Sequence, residues 1–177
     1  MTADLSKELL ERYGDADHCL QQLECSRGEV LGFLDALPDE RLFTRPEAET
    51  WSPAELMEHL ASVEEGGGKI IRRLLKVARG EGQMFPALPP SRFRPDGRLL
   101  APPETQPKGG LSRAALRERL EAVRSRLLVE VGGNEEALSQ TPIYPHPFWG
   151  DLDALGWLQS LVYHEQHHLG QLQERLK

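Results

Sequence analysis

The sequence predicts an all-α fold, a four-helix bundle with a long crossover between its second and third helices. Apolar residues recur at three- and four-residue steps in four separate segments. Proline, glycine and N-cap residues punctuate those segments. No stretch carries a convincing strand alternation, and no internal repeat is present. The 177 residues, 39% of them hydrophobic, suffice for a single domain over 1–177 with a substantial core.

The first segment runs from about Leu5 to Leu37. Leu20, Leu23, Val30, Leu34 and Leu37 form its stripe, with Arg27 filling one step. Gly14 and Asp15 separate a short N-terminal helix from the main one, and Pro38 ends it. Cys19 and Cys25 lie six residues apart, about 240° around a helix, so they do not readily bridge. Two free thiols are expected.

The second segment has the clearest start. Ser52 is placed as N-cap, Pro53 at the first helical position and Glu55 three residues after the cap, a capping box with proline at N1. Its stripe reads Leu56, His59, Leu60, Val63, Ile70, Ile71 and Leu74. Gly66-Gly67-Gly68 interrupts it, at roughly 1 kcal/mol per glycine relative to alanine. Either the helix bends there or another group approaches closely.

Residues 80–110 form the crossover. They hold Pro86, Pro89, Pro90, Pro95, Pro102, Pro103 and Pro107. So long a connection fits a bundle whose second and third helices are not antiparallel neighbours. The third segment starts at Ser112, carries Leu116, Leu120, Val123 and Leu127, and stops at Gly132-Gly133. Its basic stretch, Arg113 to Arg126, alternates with Glu118 and Glu121 and reads as a solvated face. The fourth segment runs from Asp151, the expected N-cap, to about Arg175.

The fourth stripe, Trp157, Leu161, His164, His168 and Leu172, places two histidines one helical turn apart on an inward face. An HxxxH pair on a helix is half of a divalent-metal site. His59 takes the matching place on the second helix. Three imidazoles from two packed helices can hold one ion and leave coordination positions open, as catalytic sites do. Such a donor set suits Zn, Ni, Fe or Cu better than Mg or Ca. The pattern alone equally allows a buried His59 with half-exposed His164 and His168 and no ion.

Around this set, Glu55 serves either the capping box alone or also the orientation of His59. His146, bracketed by Pro145 and Pro147, is expected to fix the loop into the last helix rather than bind metal. His167 and Glu165 lie off the His164/His168 face, with His167 exposed, and His18 is a surface residue. Trp51, Trp149 and Trp157 are expected in core and cap packing.

Formal charge is -7, and no Lys/Arg stripe interleaves with aromatics, which argues against nucleic-acid binding. No apolar run approaches the ~20 residues of a membrane span. Residues 1–8 lack a basic region followed by an apolar one, so a secretory signal is not expected and a cytoplasmic location is.

Trp51-Ser52-Pro53-Ala54-Glu55-Leu56-Met57-Glu58-His59-Leu60 resembles the W-S-x-x-E-x-x-x-H-L signature of the DinB/YfiT-like superfamily. His146-Pro147-Phe148-Trp149-Gly150 resembles the H-P-x-x-G that precedes the last helix in many members, and the stretch from His164 to Leu172 resembles the terminal H-x-x-x-H-x-x-Q-[IL]. The glycine run at 66–68 is not part of that pattern. The resemblance implies an up-up-down-down four-helix bundle, commonly a homodimer. It also implies a divalent metal held by His59, His164 and His168, with Zn or Ni favoured and Fe, Mn or Cu as alternatives. Members with known activity include thiol-dependent transferases and a maleylpyruvate isomerase, which use low-molecular-weight thiols. The expected function is a metal-dependent thiol S-transferase or hydrolase; the alternative is a non-catalytic metal-binding or stress-related bundle.

Overall fold

Four long helices carry the chain in a computed structural model that describes residues 8–176. They are α1 (Ala16–Ala36), α2 (Pro53–Ala78), α3 (Arg113–Val131) and α4 (Ala154–Arg175). The expected beginning of the first segment at Leu5 lies outside the described residues. Gly14 adopts φ 80° and Asp15 caps α1 by accepting from the His18 N–H, so the predicted break is real. Ser52 and Glu55 form the reciprocal capping box that starts α2, and Ser112 caps α3. The cap of α4 is Asp153, not Asp151. Asp151 instead pairs with Pro145 in a hairpin that the sequence did not signal.

That hairpin joins β3 (Tyr144–His146) to β4 (Gly150–Leu152); an earlier one in the crossover joins β1 (Arg92–Phe93) to β2 (Leu99–Leu100). Strands of two or three residues are too short to show a period of two. Their turns are marked only by glycines at positive φ, Gly97 and Gly150.

Cross-helix contacts fix the directions. Gly14, Arg27 and Glu29 of the α1 side meet Gln159, Glu165 and Gln173 in turn, so α1 and α4 run parallel. Trp51 and His59 meet Arg175 and His164, so α2 is antiparallel to α4. Ser62 and Glu64 meet Arg119 and Arg124, so α2 and α3 are parallel. The order is therefore up-down-down-up, which corrects the expected up-up-down-down. The reason is in the crossover: two parallel neighbours in one bundle need a return segment spanning its length, and residues 79–112 supply it.

Two apolar clusters fill the bundle. One centres on Leu23, Ile71, Leu74, Leu127, Trp157 and Leu158, the other on Leu34, Leu56, Met57, Leu120 and Leu172. Four charges lie buried among them. The Arg27 Nε donates to Glu165 at 3.0 Å and the Arg124 Nε to Glu64 at 2.6 Å; Arg27 also bonds Glu64, and Arg124 also bonds Glu165. Arg124 is thus buried, contrary to the solvated face expected for Arg113–Arg126. Carboxylates from the other helices, invisible as partners in sequence, draw Arg124 inward, while Glu118, Glu121 and Arg126 stay exposed as expected.

The glycine run does not break α2. A Cβ on Gly67 would stand 2.8 Å from a Leu161 methyl carbon, whereas one on Gly66 would meet nothing within 4 Å. The run therefore marks a close approach of α4 at Gly67 within an unbroken helix. Cys19 is buried and Cys25 exposed, both free, and burial pushes the Cys19 thiol up to about 12. No described helix is long and apolar enough to cross a membrane.

Candidate metal centre

The site forms where α2 begins and α4 ends. The capping box sets the phase of α2 from its first turn and turns His59 inward, where it is buried. On α4, Trp157 and Leu161 anchor the inward stripe, and His164 and His168 continue it, half-buried. His59, His164 and His168 each offer a ring nitrogen, and these atoms lie within 4.8 Å of one another. The rings of His59 and His168 stand edge-on at 5.1 Å, and those of His164 and His168 at 4.5 Å. In tetrahedral sites an ion about 2.0–2.1 Å from each nitrogen keeps its ligands roughly 3.3 Å apart, so small side-chain shifts suffice for this cluster.

Hydrogen bonds assign the ring protons. His59 Nδ1 lies 2.7 Å from the Thr105 carbonyl, an acceptor only, so Nδ1 carries the proton and Nε2 keeps its lone pair. His168 Nδ1 lies 2.9 Å from the Gln171 side-chain oxygen, which leaves the His168 Nε2 lone pair free in the same way. His59 Nε2 and His164 Nε2 are 2.9 Å apart, so His164 is the donor of that pair. Its Nδ1 has no hydrogen-bond partner among the described residues, and its proton can move there when the Nε2 lone pair is required.

The electrostatics agree. Burial holds His59 below its ordinary pKa, against the opposing pull of the Thr105 carbonyl. Burial, then the neighbouring His168 and His59, hold His164 well below its ordinary value. His168 is lowered to about 3, by burial first and then by His59, with Gln171 opposing. All three imidazoles are therefore neutral at neutral pH, the state in which they ligate metal.

Sequence reasoning assigned no role to the two acceptors. Gln171 stands three residues after His168, within the terminal signature, so its spacing was a usable signal. Thr105 acts through its backbone carbonyl, which no side-chain pattern reports. It is held in place by Glu58, whose buried carboxylate accepts the N–H groups of Lys108 and Gly109, each at 3.0 Å. Glu55 does not reach His59; it accepts from Ser52 N–H and from the Arg45 guanidinium, so its role is the cap. His146 Nδ1 accepts the N–H groups of Phe148 and Trp149, fixing the hairpin before α4 as expected. His167 and His18 are exposed. Trp149 and Trp157 are core residues, while the half-buried Trp51 lays its ring 4.8 Å from that of His59.

A sequence model of the DinB superfamily matches residues 22–172. The uncharacterised protein YuaE of Bacillus subtilis (strain 168) is 27% identical over 150 residues, covering 84% of this chain and 91% of YuaE. The crystal structure of TT2238, described as a four-helix bundle protein, is 30% identical with a TM-score of 0.66; the match covers 89% of this chain and 98% of that one.

Proposed function

We propose that this chain, which belongs to the DinB superfamily, is a divalent-metal-dependent enzyme, a thiol S-transferase or a hydrolase, working through His59, His164 and His168. The observation that carries the reading is the convergence of three neutral imidazoles, two of them with their protons fixed on the far nitrogen by Thr105 and Gln171. Three neutral nitrogen donors suit Zn, Ni, Fe or Cu; Zn or Ni is the proposed ion, with Fe, Mn or Cu as alternatives. A divalent ion held there would supply the Lewis acidity that makes a water or a thiol nucleophilic near neutral pH. The chain's own residues hold the lone pairs in place: Thr105 and Gln171 orient two rings, and His164 moves its proton to Nδ1. A low-molecular-weight thiol is the proposed co-substrate and a homodimer the proposed assembly.

Elemental analysis of purified protein beside His59→Ala and His164→Ala tests the metal. Stoichiometric metal lost in both variants supports the ligand set; unchanged content refutes it. Thiols assayed with electrophiles on metal-loaded protein then test the chemistry.

One observation favours a second reading, a non-catalytic metal-binding or stress-related bundle. The cavity on the Glu64 and Glu165 side of His164, lined also by Leu23, Leu60 and Leu161 but not by His59 or His168, measures about 10 Å³, the space of one water. Absence of turnover with every metal and thiol, in protein that still binds metal, would select this reading.

A further inference from the structure

Arg175, like the exposed Arg41 that donates to its carbonyl, pairs with no carboxylate among the described residues. Arg45 is paired with Glu55, Arg94 with Glu49 and Arg113 with Asp39. Arg175 is half-buried, yet no carboxylate among the described residues lies within salt-bridge distance of it. Its one side-chain hydrogen bond among the described residues runs from Nη1 to the Trp51 carbonyl at 2.9 Å. Most of the donor fork is left unused.

Its position points it at the cluster. It lies seven residues, about two turns, after His168 and so on the same face of α4. Helical side chains lean toward the N-terminus, which carries a long arginine back toward the histidines. Trp51, which holds the guanidinium by its carbonyl, sets its indole against His59.

We propose that Arg175 anchors an anionic group, a carboxylate above all, of the small molecule that the histidine cluster receives. This rests on the metal reading above. The chemistry of the donor set favours it: three neutral imidazoles offset none of a divalent ion's charge. Of the nearby buried carboxylates, Glu64 and Glu165 are paired with Arg27 and Arg124, and Glu58 accepts from the Lys108 and Gly109 N–H groups with Arg119 at 3.7 Å. A hydroxide or thiolate at a loaded site would offset one charge of the ion; the rest of that charge and the Arg175 guanidinium still favour a ligand that carries an anionic group. A carboxylate fits the planar fork with two parallel N–H bonds. A cation in the last turn of a helix also interacts with the helix dipole, and the test separates the two roles.

The test uses cobalt-loaded full-length protein titrated with acetate, malonate, succinate and glutarate, followed by cobalt visible absorption and calorimetry. One carboxylate can meet the ion while the second seeks Arg175. The expected result is that the best-fitting dicarboxylate binds at least about tenfold tighter than acetate, as a charge-assisted pair should. Arg175→Met should remove that ratio while cobalt stays bound, and Arg175→Lys should keep part of it. A dicarboxylate preference unchanged in Arg175→Met, or absent in the unaltered chain that shows cobalt bands, overturns the proposal. Protein that shows no cobalt bands at stoichiometric loading overturns the metal reading, and this proposal with it. An unchanged circular dichroism spectrum and melting temperature in both variants exclude the case in which the fold itself is lost.

Discussion

The Thr105 carbonyl sits 2.7 Å from His59 Nδ1, a bond that ties the proline-rich crossover to the candidate metal centre. Thr105 is held there because Glu58, next to His59 in sequence, clamps Lys108 and Gly109. Outer partners of metal-ligating histidines commonly carry 10–100-fold in affinity. Glu58→Gln, whose amide offers one acceptor oxygen in place of two, is expected to weaken zinc binding by about tenfold, measured by chelator competition. Unchanged affinity would show that the crossover does not orient His59.

The buried quartet of Arg27, Glu64, Arg124 and Glu165 joins all four helices. Removing one member leaves an uncompensated charge inside. Glu165→Leu should therefore cost about 3–5 kcal/mol in urea denaturation. A loss below about 1 kcal/mol would mean that water reaches the remaining arginines.

Neighbouring glycines on α2 should respond with opposite sign. Gly66→Ala gains helix propensity in open space and is expected to stabilise by up to about 1 kcal/mol. Gly67→Ala drives a Cβ into Leu161, a buried core residue, and overpacking of about 1–3 kcal/mol outweighs the same gain. Chemical denaturation of the two variants reads the difference directly, and equal effects would remove the close-approach explanation of the glycine run.

His146 gives a pH prediction. Burial lowers its pKa to about 4 from 6.5, and its Nδ1 must be unprotonated to accept from Phe148 and Trp149. The folded-state pKa is depressed for a basic group, so the unfolded chain binds more protons in between. Stability from this residue is present above pH 6.5 and is lost as pH falls toward 4. The full shift corresponds to about 3 kcal/mol. His146 is half-buried, so screening reduces the effect to on the order of 1–2 kcal/mol. His146→Asn keeps an acceptor that does not titrate. Melting temperatures of the two proteins should converge or cross as pH drops through this window; parallel curves would contradict the assignment.

Local sequence wrote the four helices and their ends. Ser52, Pro53 and Glu55 start α2, Gly14 and Asp15 open α1, and Ser112 caps α3, because caps act within three residues of themselves. It also placed His59, His164 and His168 on inward faces, since the helical period needs no knowledge of the neighbour. The short hairpins escaped because two or three residues carry no period, and the true cap of α4 moved to Asp153 as the second hairpin took Asp151.

What tertiary structure alone decided is everything that depends on which helix lies beside which. Helix direction is one such property: periodicity is the same read up or down, so up-down-down-up emerges only from pairs such as Arg27 with Glu165 and Ser62 with Arg119. The burial of Arg124, the acceptor role of the Thr105 carbonyl, and the hold of the Trp51 carbonyl on Arg175 are others. A charge or a backbone carbonyl gains its meaning from a partner tens of residues away in the chain. The sequence determined which residues would face inward; packing determined what each of them met there.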